Sequence, residues 1–414
     1  MSVPKLRFKE FDGDWSNKKI GNIASKVGSG STPRGGAEAY TDHGIIFIRS
    51  QNVNNDQLLL DDVAYIPEET HVKMSGSKVI ANDILLNITG ASIGRSCVVP
   101  HDFTEANVNQ HVCIIRTPND DPIFVQSFLS SENGQNAIQS KQAGGGREGL
   151  NFQAIRSIDF HFPPSKEEQA KIASFLSNVD EKISQLMQKH TLLSQYKQGM
   201  MQKLFSQQVR FRADDGSEFG EWGTAKIGNI AETIFGYPFD SKEMVEDNNG
   251  VPLMRGINIG ERHIRHTPEL DRFFMKNISK LEKYIVKEND IVLSMDGSKV
   301  GRNAALVSQK DANSLLVQRV CILRENTFSN IKYIYQWIIS NHFHKYVDQV
   351  KTSSGIPHIS GKQIQEYEIH YPCLEEQTKI ANFLSAIDQK IEVVAQQIEQ
   401  AKQWKKGLLQ NMFV

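Results

Sequence analysis

Two stretches of the chain repeat one apolar pattern. In the first, Ile172, Leu176, Val179, Ile183, Leu186, His190 and Leu193 follow one another at steps of four and three. In the second, Ile380, Leu384, Ile387, Ile391, Val394, Ile398 and Ala401 take the same steps. An average step of about 3.5 residues keeps one stripe turned toward a partner helix. The polar positions match as well: Glu167-Glu168-Gln169 and Lys171-Ile172-Ala173 return as Glu375-Glu376-Gln377 and Lys379-Ile380-Ala381, and Asp180, Lys182, Gly199 and Phe205 as Asp388, Lys390, Gly407 and Phe413. No Gly or Pro breaks either stripe before Gly199 and Gly407. Pro163-Pro164 and Pro372 stand just ahead, where a missing N–H costs little, and the paired glutamates put negative charge at the positive end of the helix dipole. The spacing predicts two helices, each roughly 55–60 Å long.

The 414-residue chain is therefore a tandem duplication ordered globule, helix, globule, helix. Two such helices in one chain pack most simply on each other, antiparallel, with pseudo-twofold symmetry. The plainer alternative is two amphipathic helices, each buried in its own globule. The expected boundaries are 1–163 for the first globule, 164–209 for the first helix, 210–371 for the second globule and 372–414 for the second helix.

Both globules read as mixed α/β (α+β) domains with short strands. Ile45–Ile48 and Asp83–Ile88 are apolar strand-like runs, with counterparts at Leu253-Met254 and Asp290–Met295. Each of the second pair runs into a Gly turn ending in Gly94-Arg95 or Gly301-Arg302. Helical patches are predicted at Phe124–Ser140 and Ile331–Val350. The turn-rich Gly28–Gly36 suits neither strand nor helix, and the polar Arg210–Gly220 reads as an exposed linker.

Composition narrows the class. Apolar content of 39% and charged content of 23% suit a soluble globular protein, with room for two to three domains. No run is long enough to cross a bilayer, so no membrane partner is expected. Met1–Phe8 lacks the apolar core of a signal peptide, and the four cysteines form no CxxC pair. A cytoplasmic, reduced setting is expected. Cys113 and Cys321 lie in apolar runs and read as buried strand residues. The net charge of −1 is unlike that of a general nucleic-acid coat protein; it leaves DNA binding by one basic face open, with bulk charge not expected as the main source of affinity.

No phosphate-binding loop, nucleophile elbow, zinc-spaced His/Cys cluster or Asn-Pro-Pro-aromatic tetrad is present, so the chain reads as non-catalytic, with no cofactor or metal of its own. What recurs is polar side chains on Gly-punctuated loops, which suit close approach to phosphates and base edges. The candidates in the first globule are Thr32, Arg34, Arg49, Asn52, Ser92, Arg95, Asn109, Gln110, Arg147 and Asn151. Those in the second are Lys242, Arg255, Asn258, Lys299, Arg302, Gln318, Arg319, Ser354, His358 and Lys362. Arg95 and Arg302 fit either phosphate binding or bracing of the Gly turn, and Gln110 and Gln318 fit a structural hydrogen bond as well as a base contact. The scaffold repeats while these residues differ: Ser92 becomes Lys299 and His111 becomes Arg319. Two diverged readers would read two sequences.

The Pro, Glu-Glu-Gln, Lys-Ile-Ala, Phe-Leu start of both helices, the Gly30-Ser31-Thr32-Pro33 turn and the strands closing on Gly94-Arg95 and Gly301-Arg302 together resemble the DNA-specificity subunit of type I restriction–modification systems. The resemblance covers essentially the whole chain; the second half departs from it at Gly236-Tyr237-Pro238. It implies two target-recognition domains, each reading one half of a bipartite, asymmetric double-stranded DNA site. It also implies a helix pair that sets the gap and docks two adenine-N6 methyltransferase subunits. Two translocase/nuclease subunits complete the restricting complex, and S-adenosylmethionine, ATP and Mg²⁺ belong to those partners. The specificity subunit of a related fused restriction–methylation system, or a helical scaffold that binds no DNA, remain the competing readings.

Overall fold

The computed structural model describes residues 3–54, 56–142, 149–352 and 355–414. The chain divides into two compact units, Met1–Gln188 with Val394–Val414, and Lys189–Val393. The long helices run Lys166–Phe205 and Leu374–Met412, so each belongs partly to both units.

In the first unit an antiparallel sheet orders its strands Lys26–Ser29, Val112–Arg116, Ile84–Asn87, Ser96–Val98. Ile84–Asn87 is buried at every position: Ile84, Leu85 and Leu86 form an apolar run at the sheet centre, and the buried Asn87 donates to the Ser50 carbonyl at 2.8 Å. A second sheet sets Ile45–Ile48 parallel to Ala106–Val108. A third pair, Ser16–Lys19 with Asp159–Phe162, ties the two ends of the globule together. The second unit repeats the plan with Glu232–Phe235, Val320–Arg324, Ile291–Ser294 and Ala304–Leu306, and with Val251–Met254 parallel to Leu315–Leu316. Cys113 and Cys321 are buried in equivalent strands, and burial pushes the Cys113 thiol up to about 12.

The apolar stripes lie where expected but face more than a partner helix. Ile172, Leu176, Val179 and Ile183 share one core with Trp15, Phe124, Phe128 and Phe160 of their own globule and with Leu408, Leu409, Met412 and Phe413 from the end of the second long helix. Ile380, Leu384 and Ile387 share another with Trp337, Phe343, Met201 and Leu204. Within each unit the start of one long helix therefore packs beside the end of the other, which makes the two antiparallel there. Leu186 and Val394 are also buried, whereas Leu193, Ile391 and Ile398 are half-buried. The aromatic contacts follow suit: the Phe124 ring lies tilted at 5.3 Å from Phe413, and Phe205 stacks on Trp337 at 4.0 Å.

Three sequence readings change. Gly28 and Ser29 belong to a strand, because Ser29 and Gly28 pair with Cys113 and Ile114, and Gly36–Ala39 forms a 3-10 turn. Arg210–Gly220 is largely exposed, as expected of a linker, but it is also anchored: Arg210 donates to Glu376 and to the Gly220 carbonyl, and Lys379 reaches Asp214 at 2.5 Å. The helix-start glutamates do more than meet a dipole. Glu168 and Glu376 are fully buried, each in a two-point pair with an arginine, Arg7 (2.7 and 2.8 Å) or Arg210 (3.1 and 2.7 Å), and each accepts from a tryptophan, Trp15 or Trp222.

Candidate nucleic-acid interface

The reading loops sit where strands end. In the first unit the turn after Lys26–Ser29 passes so close to its neighbour that a Cβ on Gly30 would lie 1.7 Å from the Val108 carbonyl oxygen, which only glycine permits. That approach places Thr32 against Gln110, the two linked by a short hydrogen bond. Gln110 meets His111 at 3.0 Å, and His111 meets Thr89 at 2.6 Å. Thr32 and Gln110 are exposed. Asn109 is buried and supports the turn, its side chain accepting the His111 N–H at 2.9 Å.

The second unit builds the same place differently. Gly236 makes the matching approach, with a Cβ position 2.0 Å from the Val317 carbonyl. Tyr237 accepts the Gln318 N–H through its backbone carbonyl, at 2.9 Å. Arg319, at a left-handed φ of 69°, donates to His358 at 3.3 Å. His358 bridges to Asp296 and is held by the Thr352 hydroxyl at 3.0 Å. Gln318 and Arg319 are exposed. One frame thus presents Thr32, Gln110 and His111 in one unit, and Tyr237, Gln318, Arg319 and His358 in the other.

Other candidates take other places. Asn52 and Asn258 are buried: each accepts the N–H of Arg49 or Arg255, and each spends its NH₂ on backbone carbonyls, at Leu59 and Asp62 or at Arg265. They brace their loops, Asn258 also donating to the Asp271 carboxylate at 3.2 Å, and their burial keeps them from a base edge. Arg49 leans on Asp62 at 3.5 Å; Arg255 donates to the Leu270 carbonyl, and burial beside Arg272 lowers its pKa. Asn151 caps the helix Phe152–Arg156. Arg302 is locked to Asp348 at 2.6 Å, and Lys299 meets Glu261 at 2.9 Å. Arg34, Arg95 and Lys242 are exposed, with no side-chain partner among the described residues; Ser92 is half-buried, and Lys362 lies 3.8 Å from Glu366. Arg147 and Ser354 lie outside the described residues.

Thr89, Tyr237, Asp296 and Thr352 were not singled out in the sequence. The signal was available in the repeat itself, since Thr89 and Asp296 both follow the buried central strand. Among the described residues no group of three or more His, Cys, Asp or Glu side chains is placed to hold a metal ion.

The two units thus share one strand–loop frame and differ in the polar residues at its tips. The chain belongs to the family of the type I restriction modification DNA specificity domain, whose model matches residues 12–193 and again 220–403. It is similar to the type I restriction enzyme MjaVIII specificity subunit of Methanocaldococcus jannaschii, 26% identical over 82% of this chain and 80% of that one. Over 44% of this chain and 31% of the other it is 31% identical to the EcoAI specificity subunit of Escherichia coli. The fold is shared with a crystal structure of the type I restriction-modification system S subunit from M. genitalium, at TM-score 0.63 and 16% identity, covering 100% of this chain and 99% of that one.

Proposed function

We propose that the two units of this type I restriction–modification specificity subunit each read one half of a split, asymmetric site on double-stranded DNA. The observation that supports this most is the pair of polar clusters on one shared frame, Thr32–Gln110–His111 against Gln318–Arg319–His358, with the two histidines half-buried and the other four side chains exposed. Side chains of these types distinguish base edges, and different sets read different sequences. The buried braces Asn52, Asn258, Glu168 and Glu376 hold the frame while the tips vary.

The long helices set the spacing between half-sites and dock two methyltransferase subunits, with two translocase/nuclease subunits joining them in the restricting complex. S-adenosylmethionine, ATP and Mg²⁺ act on those partners, and this chain supplies the address. Deletion of the gene, followed by methylation-resolved sequencing of the host genome, tests the proposal. Loss of one split motif carrying N6-methyladenine on both strands is the expected result. An unchanged set of methylated motifs in a host that expresses the whole system defeats it.

A further inference from the structure

The second unit contains a cavity of about 870 Å³, and every residue lining it lies within Lys189–Val393. It is bounded by the last turns of the first long helix, the helices Ile331–Ile338 and Asn341–Val350, and the strand Glu368–Tyr371. His190, Lys197, Arg262, His342, Lys345 and His370 line it, and no Asp or Glu does. Its apolar side is Met201 and the stacked pair Phe205 and Trp337. Gln195, Gln198 and Asn341 line it and are exposed, so it opens to solvent. The volume falls in the range of small-molecule sites.

The equivalent place in the first unit shows what has changed. There a cavity of about 440 Å³ is lined by Asp56 and Glu132 together with Lys402, Lys405 and Lys406. Asp56 and Arg262 hold the same position, each with a left-handed φ (61° and 65°) and each four residues beyond the bracing Asn52 or Asn258. Glu132 and Asn341 each open a helix capped by a serine, Ser131 or Ser340. In the first unit Asp56 and Asp180 meet Lys405 at 2.8 and 2.6 Å. In the second, Lys197 has Asp388 at 2.6 Å, and where the other carboxylate stood there is a guanidinium. Arg262 and Lys345 have no side-chain hydrogen bond or ion pair among the described residues. Burial first, then Arg262, lowers the Lys197 pKa to about 8 against the pull of Asp388; burial, His370 and Lys345 lower that of His342. Lys197 is neutralised by Asp388, which leaves Arg262 and Lys345 as the unbalanced positive charges in the pocket, and an external anion stabilises such a pair.

We propose that this cavity binds a small phosphate-bearing molecule with a planar apolar portion, the nucleotide class of ligand. The phosphates meet Arg262, Lys345 and the first turn of the helix capped by Ser340, and the ring lies on the side formed by Met201 and Phe205. The proposal is independent of which bases the reading loops contact.

The test is titration calorimetry of the full chain with ATP, pyrophosphate and adenosine, without divalent metal. ATP is expected to bind at one site, pyrophosphate more weakly and adenosine least. Arg262→Asp, which restores the acid of the first unit, and Lys345→Glu should each weaken ATP at least tenfold, while Lys402→Glu at the other cavity leaves it unchanged. Far-UV circular dichroism melts confirm that the three variants are folded. Absence of ATP binding to the folded wild-type chain overturns the proposal. So does equal weakening by Lys402→Glu, which marks diffuse attraction of polyanions. Stoichiometric displacement of ATP by duplex DNA also overturns it, by making the cavity part of the reading surface. Silence toward ATP with protection of Lys345 from amine labelling by the methyltransferase partner makes it a protein-docking groove instead.

Discussion

Lys197 and Lys405 occupy equivalent places on the two long helices, yet their surroundings push them in opposite directions. Burial lowers Lys197 to about 8, with Arg262 adding to the effect and Asp388 opposing it; Gln336 shares that carboxylate at 3.1 Å. For Lys405, burial is outweighed by Asp56 and Asp180, and the pKa rises. In the unfolded chain both titrate near 10.5. Below pH 8 folded and unfolded chains both hold the Lys197 proton, and the folded chain bears the cost of burying it. Between 8 and 10.5 the unfolded chain binds more protons, so stability rises with pH through that window. Relative to Lys197→Met, the wild-type second unit should gain up to about 1.4 kcal/mol per pH unit there, read from denaturant midpoints. Lys405 contributes stability below its unfolded pKa and loses it only above, so Lys405→Met should be destabilising at neutral pH, with no such gain. A flat pH difference for Lys197→Met sinks this assignment. The buried arginine pairs invite a second measurement: Arg210→Ala strands the fully buried Glu376, and a cost of about 3–5 kcal/mol is expected in chemical denaturation.

At the scale of elements, the long helices were legible because two heptad stripes, with five buried positions on the first helix and four on the second, cannot arise from strand periodicity. The central strands were legible because Ile84–Leu86 and Ile291–Leu293 are continuous apolar runs. What resisted reading was partnership. An Asn that leaves a strand end looks the same in sequence whether its amide faces solvent or, like Asn52 and Asn258, closes a loop from inside. Glu168 looks like a helix-start acid until Arg7, 161 residues away, is seen on it. The turn-like Gly28-Ser29 became a strand because sheet pairing overrides local preference. The reading loops depend on the same elements. Gly236→Ala sets a methyl 2.0 Å from the Val317 carbonyl, which forces the Tyr237–Gln318 contact apart. The expected outcome is a methylated motif degenerate in one half and intact in the other. A motif degraded equally in both halves shows that the turns do not act unit by unit.

For the whole molecule, the informative fact is membership: each long helix starts in one unit and ends in the other, and the division between units falls near the middle of both. No helix among the described residues is long and apolar enough to cross a membrane, and the buried stripe residues of both long helices lie in the cores of the two units. Under the proposed function they set the distance between half-sites. Lengthening one helix alone should fail, because the start of one and the end of the other share a core in each unit, and a one-sided insertion takes Phe413 or Phe205 out of register with its aromatic partners. Lengthening both by one matched heptad preserves the stripe and every core contact at the ends. Seven residues add roughly 10 Å of helix, close to three base pairs at about 3.4 Å each. The double-insertion protein should therefore methylate a motif with unchanged half-sites and a gap about three base pairs longer. Exchanging residues 1–163 for another reader should instead change one half-site and keep the gap. An unaltered gap in a folded, active double-insertion variant removes the helices from the role of spacer, while leaving the two reading clusters and their half-sites in place.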